Sequence, residues 1–199
     1  MGDTTNLITN IVEANNTAGP DTLVLSAGCV YTLYQAYQIN GITEITSTFG
    51  KAGLPAITST IIISGQGATI QRALTATNDF TGSFRLMTVG QGGDFTLYDV
   101  TLKNGLAQGG GGAAAGMGGA IFNALGRLAL ERVTLLDNIA QGGVGGVVGV
   151  GGFVVGGGGV GGGGTIFPYD GGGPNGGGGG GFGFGGDGGF GGGGGFGFG

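Results

Sequence analysis

Four charged residues have the types and the spacing that could support chemistry on a carbohydrate. Asp94 and Asp99 are each followed, 33 residues later, by an arginine, Arg127 and Arg132. Carboxylates beside arginines can bind a glycan, or can supply the acid or base for its cleavage. The alternative, which we favour, is a set of surface ion pairs that fix the register of neighbouring strands and add little stability.

Few other side chains could do chemistry. The chain has no histidine, so the commonest general base and the commonest metal ligand are both missing. The single cysteine, Cys29, permits neither an internal disulfide nor a thiolate cluster, and we expect it to be a small buried apolar residue. Asp170 and Asp187 are too isolated to supply the roughly six to eight oxygen ligands of calcium. We therefore expect no enzymatic activity and no cofactor.

Charge and hydropathy exclude two classes of partner. The 199 residues include six basic and eleven acidic ones, with a net charge of −5, and no Lys or Arg follows Arg132. Nucleic-acid binding needs clustered cations, so we expect none. The apolar runs are too short for a membrane span. Met1–Thr5 do not resemble a secretion signal, so the chain is either intracellular or a mature piece with a new initiator methionine.

The elements that would position the charged residues repeat with a fixed period. Within each repeat, apolar residues alternate with polar ones, which is typical of short strands with one buried face. At an offset of 33, the matched segments are Met87 and Val89 with Ala120 and Phe122, Phe95–Leu97 with Leu128–Leu130, Val100–Leu102 with Val133–Leu135, and Ala107–Gly110 with Ala140–Gly143. A repeat of this length predicts stacked supersecondary units.

Earlier segments follow the same pattern more loosely. The strands expected there are Thr22–Leu25, Val30–Leu33, Thr60–Ile63 and Ala68–Ile70. Gly28, Gly65 and Gly67 separate them, and glycine suits a tight corner or a positive φ. Short strands joined by glycine corners predict a β-solenoid, in which each coil pairs with the last through parallel ladders. Thr101 and Thr134 would stack, but two threonines are too few for an ice-binding array.

The chain is predicted to have three parts. Residues 1–20 form an N-terminal cap, residues 21–141 form parallel β-helix coils, and residues 142–199 form a glycine-rich region with one degenerate coil near 163–168. In the cap, Leu7, Ile8, Ile11 and Val12 have helical spacing behind an N-cap at Asp3 or Thr4. Solenoid ends expose unpaired edges, and this helix would cover the first one.

Several segments together resemble a known class of proteins. They are Gly19–Leu25, Cys29–Leu33, Leu54–Ser59, Ile63–Ile70, Phe95–Leu102 and Gly118–Asn123. This set is similar to the N-terminal coils of secreted bacterial right-handed parallel β-helix (pectate-lyase-like) proteins. Gly118–Ile121 and Leu135–Asn138 resemble the paired GGAI and FxxN motifs of polymorphic outer-membrane proteins and autotransporter-passenger adhesins, with leucine in place of phenylalanine.

The resemblance covers about residues 5–140 and carries expectations of its own. It implies an all-β, right-handed parallel β-helix located outside the cell or at the cell surface. Its members are mostly uncharacterised surface proteins or adhesins. A cell-surface or glycan ligand is therefore the partner that the resemblance suggests, beside self-association.

The glycine-rich region differs from the coils in its composition and in the structures that it can form. Residues 142–199 hold 36 of the 57 glycines, without the three-residue period of collagen. Three structures remain open: a disordered tail, a bundle of polyglycine-II-like strands anchored by valines and phenylalanines between Val144 and Val155, and a segment for self-association. The phenylalanines that could mediate self-association are Phe182, Phe184, Phe190, Phe196 and Phe198.

Two functional hypotheses follow. The first is a non-enzymatic, extracellular or cell-surface structural or adhesive protein that assembles into a fibre or surface layer through stacked coils and the glycine-rich tail. The second is a carbohydrate-binding or polysaccharide-cleaving β-helix, for which Asp94, Asp99, Arg127 and Arg132 are the candidate residues.

Overall fold

The computed structural model describes residues 1–39, 42–43, 50–74, 83–109 and 116–142. The predictions for the degenerate coil near 163–168, the anchoring valines and the five tail phenylalanines lie outside these residues. The chain divides into two compact units. The first comprises Met1–Glu44, Ala52–Leu106 and Gly118–Ile139, and the second comprises Ile45–Lys51, Ala107–Met117 and Ala140–Gly199. The sites discussed below lie in the first unit.

The one helix of the described residues, α1, extends from Thr4 to Asn16. Asp3 is its N-cap, and the Asp3 side chain accepts a hydrogen bond of 2.9 Å from the backbone N–H of Asn6. Leu7, Ile11 and Ala14 are buried against the strands, while Ile8 is partly buried. The apolar face predicted from the sequence is therefore the face that packs.

The strands of the described residues are short, apart from two long ones. They are β1 (Asp21–Val24), β2 (Val30–Leu33), β3 (Gln38–Ile39), β4 (Ile42–Thr43), β5 (Thr60–Arg72), β6 (Met87–Val89), β7 (Asp94–Lys103), β8 (Leu106–Gln108), β9 (Ile121–Asn123), β10 (Arg127–Glu131), β11 (Thr134–Leu136) and β12 (Ile139–Gln141). Each long strand, β5 and β7, spans two of the short strands expected from the sequence.

The strands form mostly parallel sheets, which confirms the all-β class with one short helix. The largest sheet has the order β1-β5-β7-β10, with β2 also on β5 and β11 also on β7. All pairings within it are parallel. Two-stranded sheets pair β6 with β9 in parallel, β8 with β12, and β3 with β4 antiparallel.

The 33-residue offset is the register of the main sheet at its C-terminal side. Arg127 pairs with Asp94 and Thr134 pairs with Thr101, as the repeat predicts. The offset fails at the smaller sheet, where Met87 pairs with Ile121 rather than Ala120. The turn that follows is one residue shorter in the later repeat, Ala124–Gly126 against Gly90–Gly93, and it restores the offset of 33 by Arg127.

The core consists of apolar columns that run across the strands. Along β5 and β7, buried residues alternate with partly exposed ones, so each strand presents one face to the interior. Residues in register stack on one another: Ile61 on Phe95, Ile63 on Leu97, Ala68 on Val100 and Ile70 on Leu102. All of these are buried. Cys29, expected to be buried, is only partly so and packs against the edge of this core.

The strands bend at corners that also stack. Gln66, Asp99 and Arg132 have φ values of 51°, 50° and 52°, in the left-handed region. The bulge at Gly65–Gly67 in β5 lies opposite Asp99 of β7. Gly65 and Gly67, predicted as corner residues, flank Gln66 at this bend, while the later repeats have an aspartate and an arginine there.

Candidate functional site

The site best defined by side chains is the corner that holds Asp99 and Arg132. The two form a bidentate ion pair, with Arg132 Nε 2.5 Å from Asp99 Oδ1 and Nη2 3.0 Å from Oδ2. The Arg132 guanidinium also lies 6.0 Å from the ring centroid of Tyr98. Both charged groups are exposed, and the fork of the arginine matches the two carboxylate oxygens.

Beside this pair lies an open surface depression of about 350 Å³. Its lining is polar where side chains from three successive repeats meet. It includes the corner residue of each repeat, Gln66, Asp99 and Arg132. The lining residues are Gln66, Gly67, Asp99, Val100, Thr101, Arg132 and Thr134. Hydroxyl, amide, carboxylate and guanidinium groups in a shallow depression are suited to hydrogen bonding with a sugar.

The second predicted pair is much looser. Arg127 Nε lies 4.0 Å from Asp94 Oδ2, and the side chains are 85 % and 45 % exposed. The pairing of Asp94 with Arg127 across β7 and β10 brings the charges together without a hydrogen bond between them. The structure thus assembles two separate acid–arginine pairs, not one cluster of four groups.

The ion pair shifts the titration of Asp99. The hydrogen bond from Arg132 lowers the pKa of the Asp99 carboxyl below its ordinary 3.8, and its charge acts in the same direction. A carboxyl with a lowered pKa is ionised at neutral pH and holds its proton too weakly to act as a general acid. In this state Asp99 accepts both hydrogen bonds from Arg132.

We expect an NMR titration to give Asp99 a pKa below 3.8, and Arg132→Gln to return it towards that value. A folded-state pKa below the unfolded one means that the pair stabilises the fold above the unfolded pKa. That contribution is lost as the pH falls through the folded pKa. Arg127→Gln is the matched control, because it removes one arginine from the same sheet edge. An Asp99 pKa that Arg132→Gln leaves unchanged would contradict the assignment.

The two sequence motifs at Gly118–Ile121 and Leu135–Asn138 meet in space. The Asn138 side chain bridges to the preceding repeat, where Nδ2 donates to the Leu102 carbonyl and Oδ1 accepts from the Gly105 N–H, each at 2.8 Å. A Cβ on Gly105 would overlap the Gly119 carbonyl oxygen, so Gly105 and Gly119 pack backbone to backbone. The asparagine thus gives hydrogen-bond partners to two backbone groups of the preceding repeat.

Asn138→Ala is expected to lower the free energy of unfolding by about 1–3 kcal/mol. The substitution leaves the Leu102 carbonyl and the Gly105 N–H without the side-chain partner that each has in the half-buried bridge. Asn123 is the matched control. Its side chain also makes two hydrogen bonds, but both join it to Gly126 within one exposed turn. Urea denaturation measures the free energy of unfolding of the two variants. Equal losses would show that the bridge between repeats stabilises the chain no more than the bonds within one turn.

Two arginines that the sequence analysis did not single out are partly or wholly inside the fold. Arg85 is only 3 % exposed and lies 5.0 Å from the Phe122 ring, and burial lowers its pKa to about 10. Arg72 donates from Nε to the Asn104 carbonyl at 2.8 Å, and burial lowers its pKa too. The apolar neighbours of Arg85, Phe84 and Leu86, were the available signal.

Other candidate chemistry is sparse in the part of the chain that the structure describes. Within residues 1–39, 42–43, 50–74, 83–109 and 116–142, no three His, Cys, Asp or Glu side chains are grouped so that they could hold a metal ion. No helix in the same ranges has the length and apolar character needed to cross a membrane. The predicted self-association residues, Phe182 to Phe198, lie outside these ranges.

Comparison of the chain with protein-family models, with curated proteins and with solved structures finds no match in any of the three.

Proposed function

We propose that the chain is a right-handed parallel β-helix that serves as a non-enzymatic structural or adhesive protein outside the cell or at its surface. The observation that carries the proposal is the register of the main sheet, in which one repeat lies on the next. Crossovers between parallel strands of one sheet are right-handed in nearly all proteins, which supports the handedness. Such a stack is a stiff wall that can present the same surface repeatedly.

The charged residues on this wall support a structural role. Arg132 holds the Asp99 carboxylate in a bidentate pair, and Arg127 lies across from Asp94 in the adjacent strand. Opposite charges on adjacent strands favour the observed register, because a slip of one residue would move each side chain to the other face. Each carboxylate is thus associated with its own arginine, which is unlike a pair of carboxylates flanking a scissile bond.

Assembly into a fibre or surface layer is part of the same proposal. Stacked coils supply the rigid part, and the glycine-rich tail with its phenylalanines supplies contacts between molecules. Electron microscopy and sedimentation of the purified chain, together with binding to cell surfaces and to a glycan array, test the proposal. We expect assemblies or surface binding. Dispersed monomers that bind neither cells nor glycans would count against it.

The surface depression supports glycan binding as a second candidate function. Gln66, Thr101 and Thr134 line it beside the ion pair, and the Tyr98 ring lies next to Arg132. Glycan-array binding that Arg132→Ala abolishes would favour this function. Cleavage of a polyuronate that Asp99→Ala abolishes would go further and reverse our order of the two hypotheses.

A further inference from the structure

In the part of the chain that the structure describes, strand β10 is the last strand of the main sheet. It is the last strand in the order β1-β5-β7-β10, so among the described residues only one of its edges is paired. The Arg127 N–H donates to the Gly93 carbonyl at 2.8 Å, which directs the Arg127 peptide groups towards the preceding repeat. Backbone groups alternate along a strand, so the N–H and C=O of Leu128 and Leu130 face the open edge.

On this side of the sheet, leucines of β10 and β11 are more exposed than the leucines in register with them. Leu97 and Leu102 are fully buried, whereas Leu130 and Leu135, the residues in register with them, are 40 % and 56 % exposed. At the opposite end of the sheet, the edge of β2 is hydrogen-bonded to the start of the chain. There Gly2 donates to the Val30 carbonyl at 2.8 Å, and Thr4 Oγ1 donates to the Thr32 carbonyl at 3.3 Å, so the start of the chain covers the edge of β2.

The sequence of β10, Arg-Leu-Ala-Leu-Glu, is complementary to itself when it is reversed. In an antiparallel pair centred on Ala129, Arg127 lies opposite Glu131 and Leu128 lies opposite Leu130. The outward face then joins opposite charges, and the inward face joins leucines that extend the apolar columns. Ala129 would face its own copy at a Cα separation of about 4.5 Å, which its small side chain permits.

We propose that β10 pairs antiparallel with β10 of a second copy of the chain, around a two-fold axis at Ala129. The hydrogen-bond alternation fits this register, because the peptide groups of Leu128 and Leu130 face the edge and would bond to each other across the axis. The contact is isologous, so it closes as a dimer. At β2, which is in line with β11, the chain start occupies the strand edge, so a further copy cannot add there. The inference deepens the proposed function by naming the partner in self-association.

Charge reversal tests the pairing. Glu131→Arg sets arginines opposite each other across the axis, and Arg127→Glu does the same with glutamates. We expect each to weaken dimerisation about tenfold or more in sedimentation equilibrium. The double variant Arg127→Glu/Glu131→Arg restores opposite charges and is expected to recover most of the affinity. The single variant Arg127→Glu and the double variant make the same change beside Asp94. A difference in dimer affinity between these two variants therefore reports the contact between copies.

Ala129→Lys is a second, stronger test, since it sets two ammonium groups face to face at the axis. Thr96→Lys is its matched control: Thr96 is in register with Ala129 but lies on β7, between two paired strands. We expect dimer loss with Ala129→Lys alone, while circular dichroism shows both variants folded. A monomer at every concentration, or a dimer that neither the charge reversals nor Ala129→Lys affects, overturns the proposal. Surface binding by the folded Ala129→Lys variant measures the proposed adhesive function separately.

Discussion

Replacement of Leu97 by alanine is expected to lower the free energy of unfolding by about 2–5 kcal/mol. Leu97 is fully buried in the middle of the main sheet, where it lies in register between Ile63 and Leu130. Truncation removes apolar surface from the interior and leaves a cavity that strands on both sides prevent from closing. Urea denaturation followed by circular dichroism measures the loss.

Val24→Ala is the control for Leu97→Ala. Val24 lies in β1 of the same sheet, but its side chain is 62 % exposed. The substitution tests strand propensity with little burial, and we expect a loss below about 1 kcal/mol. A similar loss in the two variants would mean that the apolar columns are not the main source of stability.

The second large effect is expected from Gly105→Ala, with a loss of about 3 kcal/mol, at the upper end of the range for overpacking. The new Cβ would overlap the Gly119 carbonyl oxygen and lie 3.0 Å from Asn138 Oδ1. The first obstacle is backbone, which cannot rotate away as a side chain can. Relief requires the two repeats to separate, and separation would also break the hydrogen bonds made by Asn138.

Gly67→Asn separates this steric effect from the general cost of replacing a glycine. Gly67 has a φ of 77°, but nothing lies within 4 Å of a Cβ built there. Asparagine tolerates left-handed backbone, so we expect a loss below about 1 kcal/mol. If Gly67→Asn destabilised the chain as much as Gly105→Ala, the close packing at Gly105 would not be the cause.

The repeat in the sequence predicted the partners of residues on neighbouring strands correctly wherever the strands and turns of successive repeats have equal lengths. It placed Asp94 beside Arg127 and Asp99 beside Arg132, and both pairings are present. It misplaced the partner of Met87 by one residue, because one turn is shorter in the later repeat. Alternation of apolar residues alone does not reveal such a change, since it leaves each strand intact.

The contacts and the burial of individual polar residues could be predicted less well from the sequence. Asn138 could be recognised as part of a motif, but its bridge to Leu102 and Gly105 depends on the distance between two repeats. Arg85 carries no local sign of its burial beyond the apolar residues around it. Long-range contacts of this kind follow from how the repeats lie on one another, not from neighbours in the chain.

By itself, the sequence determined the strand-rich class, the N-terminal helix and the spacing of the charge pairs. These depend on periodic apolar patterns, on capping residues and on short-range backbone preferences, which are local properties. The tertiary structure decided which corner binds its arginine in a bidentate pair, which glycines have no room for a Cβ, and which strand edge is unpaired among the described residues. The self-complementary sequence of β10 acquires a meaning only there, because an unpaired edge is a property of the folded sheet.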